Sequence, residues 1–227
     1  PEALVELFLR HPPQGFAAAS EADLPVFGTD FDLLTTLEPA ILVKIRRLPL
    51  FGLWSRLLRF PARFAGTTAT EYAPLPKGLE PGALLDGFRE RCAAGQSLLI
   101  VKDVPEVSPL LGAGDNEAAM RLARIAPDKG FIVVEGQALA YVPIDFSSTD
   151  EYLSRLSKSR RKNLRRKLKS RERLDIEAVP LGDARFGSLD VLEELYGLYL
   201  GVYAQSEIHF DLLTRDFFAG LLQSREI

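Results

Sequence analysis

STDEYLSRLSKSRRKNLRRKLKSRERL, Ser148 to Leu174, is the most one-sided stretch of this chain. Between Arg155 and Arg173 it holds eleven Lys or Arg against one acid, Glu172. The whole chain has 28 basic and 31 acidic residues, so the remainder holds 17 basic against 30 acidic side chains. A formal net charge of −3 therefore conceals a strongly divided molecule.

The stretch reads as an ordered helix. Ser148 and Glu151 stand at capping-box spacing, where a hydroxyl accepts from a first-turn amide and a carboxylate reaches back. Asp150 and Glu151 put negative charge at the positive end of the helix dipole, and the cations follow toward the other end. Leu153, Leu156, Leu164 and Leu168 fall close to one helical face, interrupted at Arg160 or Arg161. Like charges at i,i+4, such as Lys158/Lys162 and Arg161/Arg165, cost about 0.2 to 0.5 kcal/mol per exposed pair. Two readings follow. Either the acidic remainder of the chain neutralises a solvated face, or the helix meets an anionic partner: phosphate on a small molecule or carrier, nucleic acid, or an anionic membrane. Nucleic acid is the less favoured, because the helix carries no aromatic for base stacking beyond Tyr152 and its surroundings are acidic.

On either side of this stretch the pattern is strand-like. GFIVVEGQALAYVPIDF predicts two strands, 131–135 and 138–144, joined through Gly136-Gln137 as an antiparallel hairpin. LDIEAVPLG, 174–182, alternates as a further strand, and SLDVLEELYGLYLGVYAQS, 188–206, is an amphipathic helix with Ser188 as its cap. Leu192, Leu195, Tyr196, Tyr199, Leu200 and Tyr203 form its core-facing side, and Thr214 opens a last helix with Phe217, Phe218, Leu221 and Leu222 inward.

Earlier in the chain, a helix over 2–10 stops at Pro12-Pro13 and gives way to a polar loop reaching residue 31. LLTTLEPAILVKIRRLPLFGLWSRLLRF, 33–60, predicts two helical pieces broken at Pro49, with apolar and aromatic residues among Lys44, Arg46, Arg47, Arg56 and Arg59. Such pieces either pack on the domain with their Arg exposed or lie on an anionic bilayer surface, so residues 40–60 are a candidate for peripheral membrane contact. TTATEYAPLP, 67–76, predicts a short strand, residues 82–94 a helix opened by Pro81, and SLLIVKDV, 97–104, a strand buried on both faces. A helix near 116–125 precedes the hairpin. The expected organisation is a helical extension over 1–66 followed by an α/β domain over 67–227, with a mixed, mostly antiparallel sheet flanked by helices.

Composition narrows the chemistry. Cys92 is the only cysteine, so no disulfide forms within the chain, and the default compartment is reducing, hence cytoplasmic. His11 and His209 are the only histidines, and no HExxH or CxxC spacing occurs, so no metal site is expected. The N-terminal residues lack the features of a secretory signal, and no apolar run approaches the about 18 residues of a membrane span. The chain starts at Pro1 without an initiator Met and stops at Ile227 after an uncapped helical pattern, so a portion of a longer protein is expected.

Two polar clusters offer candidate catalytic groups. Glu71-Tyr72 places an acid beside a phenol on the expected 67–76 strand, where only one of them faces a cleft. Ser206 to Asp211 places Glu207, His209 and Asp211 in one loop, residue types suited to general-base work on an amine or hydroxyl. RFAGTT, 63–68, is a near miss to a coenzyme A pyrophosphate loop, but it follows helical pattern and precedes a strand, the reverse of what that geometry requires.

YLSRLSKSRRKNLRRKLKSRERLDIEAV, then an amphipathic helix, then SEIHFDLLTRDFFAGLL, resembles the GNAT-superfamily acyltransferases of the FemAB-like and CelD-like kind. The resemblance is specific over about 151–222 and topological before that. It implies a GNAT-like fold that transfers an acyl group from acyl-coenzyme A, or in the FemAB branch an aminoacyl group from tRNA, to a small or carrier-linked amine acceptor. A link to cell-envelope metabolism would fit. Lys158, Arg161, Asn163, Arg165 and Arg166 match the family's basic motif and would lie near an anionic donor or substrate. The family's donor-binding half follows the Phe-Phe helix, so the donor site is expected outside this chain.

Overall fold

LPVFGTDFD, Leu24–Asp32, is the strand on which the sheet is built, because it pairs along both edges. The computed structural model describes residues 2–21, 23–36, 39–78, 80–136, 138–206 and 209–227. Among the described residues four strands form one sheet: β1 (Ala17–Glu21), β2 (Leu24–Asp32), β3 (Arg59–Ala65) and β4 (Leu98–Val101), in that order across the sheet. The β1–β2 and β2–β3 pairs are antiparallel and β3–β4 is parallel. The helices are α1 (Glu2–Arg10), α2 (Pro39–Arg46), α3 (Phe51–Trp54), α4 (Pro81–Cys92), α5 (Ala113–Ile125), α6 (Thr149–Arg155), α7 (Lys158–Arg171), α8 (Leu189–Gln205) and α9 (Arg215–Gln223). The fold is thus mixed α/β with a mostly antiparallel sheet, as the sequence leads one to expect.

Two compact units divide the chain, one of residues 1–134 with 181–227 and one of residues 135–180. The sheet belongs to the first. Successive residues of a strand point to opposite faces, and each face of this sheet has its own core. Phe27, Ala62 and Phe64 pack with Leu7 and Phe8 of α1 and Phe217 of α9. Val26 and Ala65 pack with Leu84, Leu85 and Phe88 of α4 and Leu122 of α5. Gly220 lets α1 and α9 come close, since a Cβ there would meet Leu7 Cδ1 at 2.5 Å. Thr214 caps α9 by accepting from the Phe217 amide, and α8 places Leu192 in the interior while leaving Leu200 exposed.

Several local expectations give way. Residues 1–66 are not a helical extension: they supply three of the four strands. Alternation in β2 is masked by Pro25, Gly28 and three Asp or Thr residues, and AAASE of β1 has little strand propensity of its own. RFPARFA becomes β3 although it follows helical pattern, and residues 67–76 form bends rather than a strand. β4 is an edge strand with half-buried residues, not one buried on both faces.

The expected hairpin 131–144 and strand 174–182 are also absent among the described residues. Ile132, Val134, Ile144, Leu174 and Ile176 stand exposed, with Ile132 at 88%. A strand is stabilised by its neighbours' backbone groups, and these segments are not among the strands of the described sheet. Amides from Ile132 to Ile144 should therefore exchange with solvent orders of magnitude faster than those of Phe27 to Phe31 and Ala62 to Ala65. Comparable protection in the two sets, read by hydrogen exchange, would contradict this arrangement.

Candidate functional site

The basic stretch folds as two helices rather than one. Ser148 Oγ accepts from the Glu151 amide at 3.2 Å, as capping-box spacing predicts. The Glu151 carboxylate reaches one residue further back than expected, accepting from Ser147 N at 2.8 Å and Ser147 Oγ at 2.7 Å. Arg155 closes the turn, donating to Glu151 Oε1 at 2.6 Å and to Asp145 Oδ1 at 2.6 Å. Leu156 is then extended, α6 ends, and α7 starts after Ser157.

α7 is held differently. Nine of its 14 residues are Lys or Arg, none is acidic and none is buried. Ser157 stands at its N-cap with no side-chain capping bond, and Lys158, Arg160 and Arg161 crowd the end where the dipole already places positive charge. Among the described residues no cation of α7 forms an ion pair; the acids that do so are matched with cations elsewhere. Of the residues that match the basic motif, Arg161 is half-buried and Lys158, Asn163, Arg165 and Arg166 are exposed. Asn163 Oδ1 accepts from Arg166 Nη2 at 3.2 Å and so orients that guanidinium.

Glu71 and Tyr72 lie in the loop after β3. Tyr72 Oη and Ser108 Oγ are 2.7 Å apart, and Ser108 is buried and bracketed by Asn116, which accepts from its amide and donates to its carbonyl. Ala73 N donates to Asp103 O. Tyr72 thus ties the loops that follow β3 and β4, while Glu71 is exposed. The 63–68 segment has no helix N-terminus to work with: α4 begins at Pro81, and Glu80 Oε2 already accepts from Gly82 N at 2.7 Å and Ala83 N at 3.2 Å.

Glu207 lies outside the described residues. His209 Nε2 is 2.9 Å from the Tyr203 carbonyl, which fixes its proton on that nitrogen, and the two rings are 4.9 Å apart. Tyr199 and Tyr203 are both raised above the ordinary phenol range, chiefly by burial, with the Asp211 charge adding to it. His209 lines a cavity of about 210 Å³ with Thr29, Asp30, Asp32, Arg59 and Phe210. It stands beside Arg59, the first residue of β3, whereas Tyr72 follows the last. Tyr72 is hydrogen-bonded to Ser108 and His209 to the Tyr203 carbonyl, and no hydrogen bond among the described residues joins the two candidate groups.

Sequence reasoning missed a groove on the α4 face of the sheet. Gly28, Asp30 and Asp32 of β2 lie in register with Arg63, Pro61 and Arg59 of β3. A second cavity of about 300 Å³, lined by Gly15, Ala17, Gly28, Thr29, Asp30, Pro61, Arg63 and Gln96, adjoins the first at Thr29 and Asp30. The period-two spacing of these charges is the signal that could have revealed it, had 17–32 and 59–65 been read as strands. Among the described residues no cluster of His, Cys, Asp and Glu is placed to hold a metal ion.

The chain matches no family model, no curated protein and no solved structure.

The two Ser147 bonds, backbone first, and then Arg155 hold the Glu151 carboxyl at about 2, against an ordinary 4.5. A depressed carboxyl stabilises the charged form, so the α6 latch is intact above the ordinary value and is lost as pH falls toward about 2. Carboxyl ¹³C titration should show Glu151 titrating well below the other exposed glutamates, with helical shifts of 149–155 fading over the same window. A midpoint at the ordinary value would refute the latch.

Proposed function

We propose that this chain holds a phosphate-bearing partner on α7, as the anion-binding portion of a GNAT-like acyltransferase of the FemAB-like or CelD-like kind. The donor is acyl-coenzyme A, or aminoacyl-tRNA in the FemAB branch, and the acceptor is an amine. One observation carries the reading: a row of nine cations without a described counter-charge begins at a helix N-terminus without a side-chain cap. The free amides of that first turn and the cations around it favour the same ligand, a phosphate group. Lys158, Arg161, Asn163, Arg165 and Arg166 are the residues assigned to it. Of the described groups considered as a general base, His209 is the one that lines a cavity.

A second reading has its own support. Ile41, Val43, Leu48, Leu50, Leu53 and Leu57 are exposed, Leu57 at 76%, beside Lys44, Arg46, Arg47 and Arg56. This is an apolar and basic surface of the kind that rests on anionic lipid. No helix among the described residues is long and apolar enough to cross a membrane.

Calorimetric titration separates these readings. Coenzyme A should bind saturably and pantetheine, which lacks its phosphates, should not. Replacing Arg161, Arg165 and Arg166 together by Gln should weaken coenzyme A at least about tenfold, since charge-assisted hydrogen bonds contribute about 1.5 to 3 kcal/mol each. Duplex DNA binding whose log-log salt slope reflects about 0.9 per neutralised phosphate, with silence from the coenzyme, would replace the acyltransferase reading with a nucleic-acid module. Binding to phosphatidylserine vesicles that survives the triple α7 substitution would locate lipid contact in 40–60.

A further inference from the structure

The α4 face of the sheet carries a cation whose counter-charge is not supplied by the described residues. Arg63 lies across Gly28: a Cβ on Gly28 would stand 3.1 Å from Arg63 Nη1, so any side chain there would push the guanidinium aside. Nη1 reaches the Ala17 carbonyl only at 3.5 Å, the outer limit of a hydrogen bond. Nε is shielded from solvent and has no hydrogen-bond partner among the described residues. Neighbouring cations are matched, Arg59 with Asp32 at 3.4 Å and Arg91 with Glu21 at 3.9 Å, while Arg63 makes no ion pair among the described residues.

On the same face, one register step from Gly28, stands Asp30, exposed and with no described partner for its carboxylate. Arg63 and Asp30 both line the cavity of about 300 Å³, a volume at the bottom of the about 300 to 1,000 Å³ range of small-ligand sites. A buried donor on a charged group that lacks an acceptor is costly, and a planar carboxylate accepts from the guanidinium fork in two parallel bonds. Asp30, the acid that lines the cavity, disfavours a dianion such as phosphate and favours a ligand that brings a positive group as well.

We infer that this cavity binds a small zwitterion of the amino-acid type, its carboxylate on the Arg63 guanidinium and its ammonium on the Asp30 carboxylate. The site is separate from α7 and does not depend on the acyltransferase reading. Gly28 keeps the guanidinium seated, and Gln96 and Thr29 offer further polar groups at the cavity wall.

The test is an amide ¹H–¹⁵N titration of the whole chain with free glycine, with acetate and methylammonium as its two halves and inorganic phosphate as a competitor. Glycine should move the amides of Gly15, Gly28, Thr29 and Gln96 along saturable curves in the millimolar range. Acetate should move the same set more weakly, and methylammonium should leave them in place. R63Q should weaken glycine at least tenfold; D30N should weaken glycine severalfold while sparing acetate. The wild-type titration decides alone if R63Q fails to fold, because absence of saturable glycine shifts at these four amides overturns the inference. So do glycine shifts that persist in folded R63Q, or inorganic phosphate displacing glycine.

Discussion

The ring of Phe27 is the contact on which the larger unit depends. It is fully buried, stacked between Phe16 at 4.9 Å and Phe64 at 4.7 Å, with Phe8 edge-on at 5.7 Å. One side chain thereby joins β2 to β3, to α1 and to the segment that leads into β1. Stacked and edge-to-face geometry is favoured by the ring quadrupoles, beyond the area buried. Fixing Phe27 against Phe64 also fixes the β2–β3 register, because a one-residue slip would turn the aromatic set to the other face. That register is what sets Gly28 opposite Arg63 and builds the polar groove. Phe210 packs on Phe16, Phe31 and Phe64, so the same cluster anchors the segment that carries His209, which lines the smaller cavity with Asp30 and Arg59.

Charge organises the rest. A helix with cations at i,i+4 and at its own N-terminus works against both side-chain repulsion and the dipole. The acidic remainder of the chain was one way to offset this. Among the described residues the acids that form ion pairs do so with other cations, Asp86 with Lys129 and Glu193 with Arg215 among them. The proposed role of α7 follows from this: an external anion would supply the charge that these pairs do not. The latch of Ser147, Ser148, Glu151 and Arg155 lies immediately before it and ties down α6, leaving Leu156 and Ser157 as the break from which α7 starts.

Much of this was legible in the sequence, and the exceptions share a cause. Helices with an apolar stripe, such as α4, α5, α8 and α9, were readable because their periodicity is local; Thr214 caps α9 as expected, whereas Ser188 stands at the start of α8 without a side-chain capping bond. Ser148 with Glu151 was readable for the same reason, although the carboxylate chose Ser147. β1, β2 and β3 were not, since AAASE and RFPARFA become strands only through pairing partners distant in sequence. The reverse error arose at 131–144 and 174–182, where alternation is strong but no described strand is present to pair with. Glu71 and Tyr72 were singled out by residue type, yet Tyr72 serves as a bolt between two loops. Arg63 was noticed for a phosphate loop, while its unpartnered Nε emerges only once β3 lies beside Gly28.

The most direct measurement of the central claim is the helicity of α7, read from ¹³Cα shifts of residues 158–171 at low salt, before and after coenzyme A is added at constant ionic strength. If external phosphate offsets the repulsion within α7, helicity should be incomplete at first and rise on addition, most strongly over the first turn at Lys158 to Arg161. Full helicity without the ligand, unchanged by it, would mean that α7 needs no anion and would contradict the account.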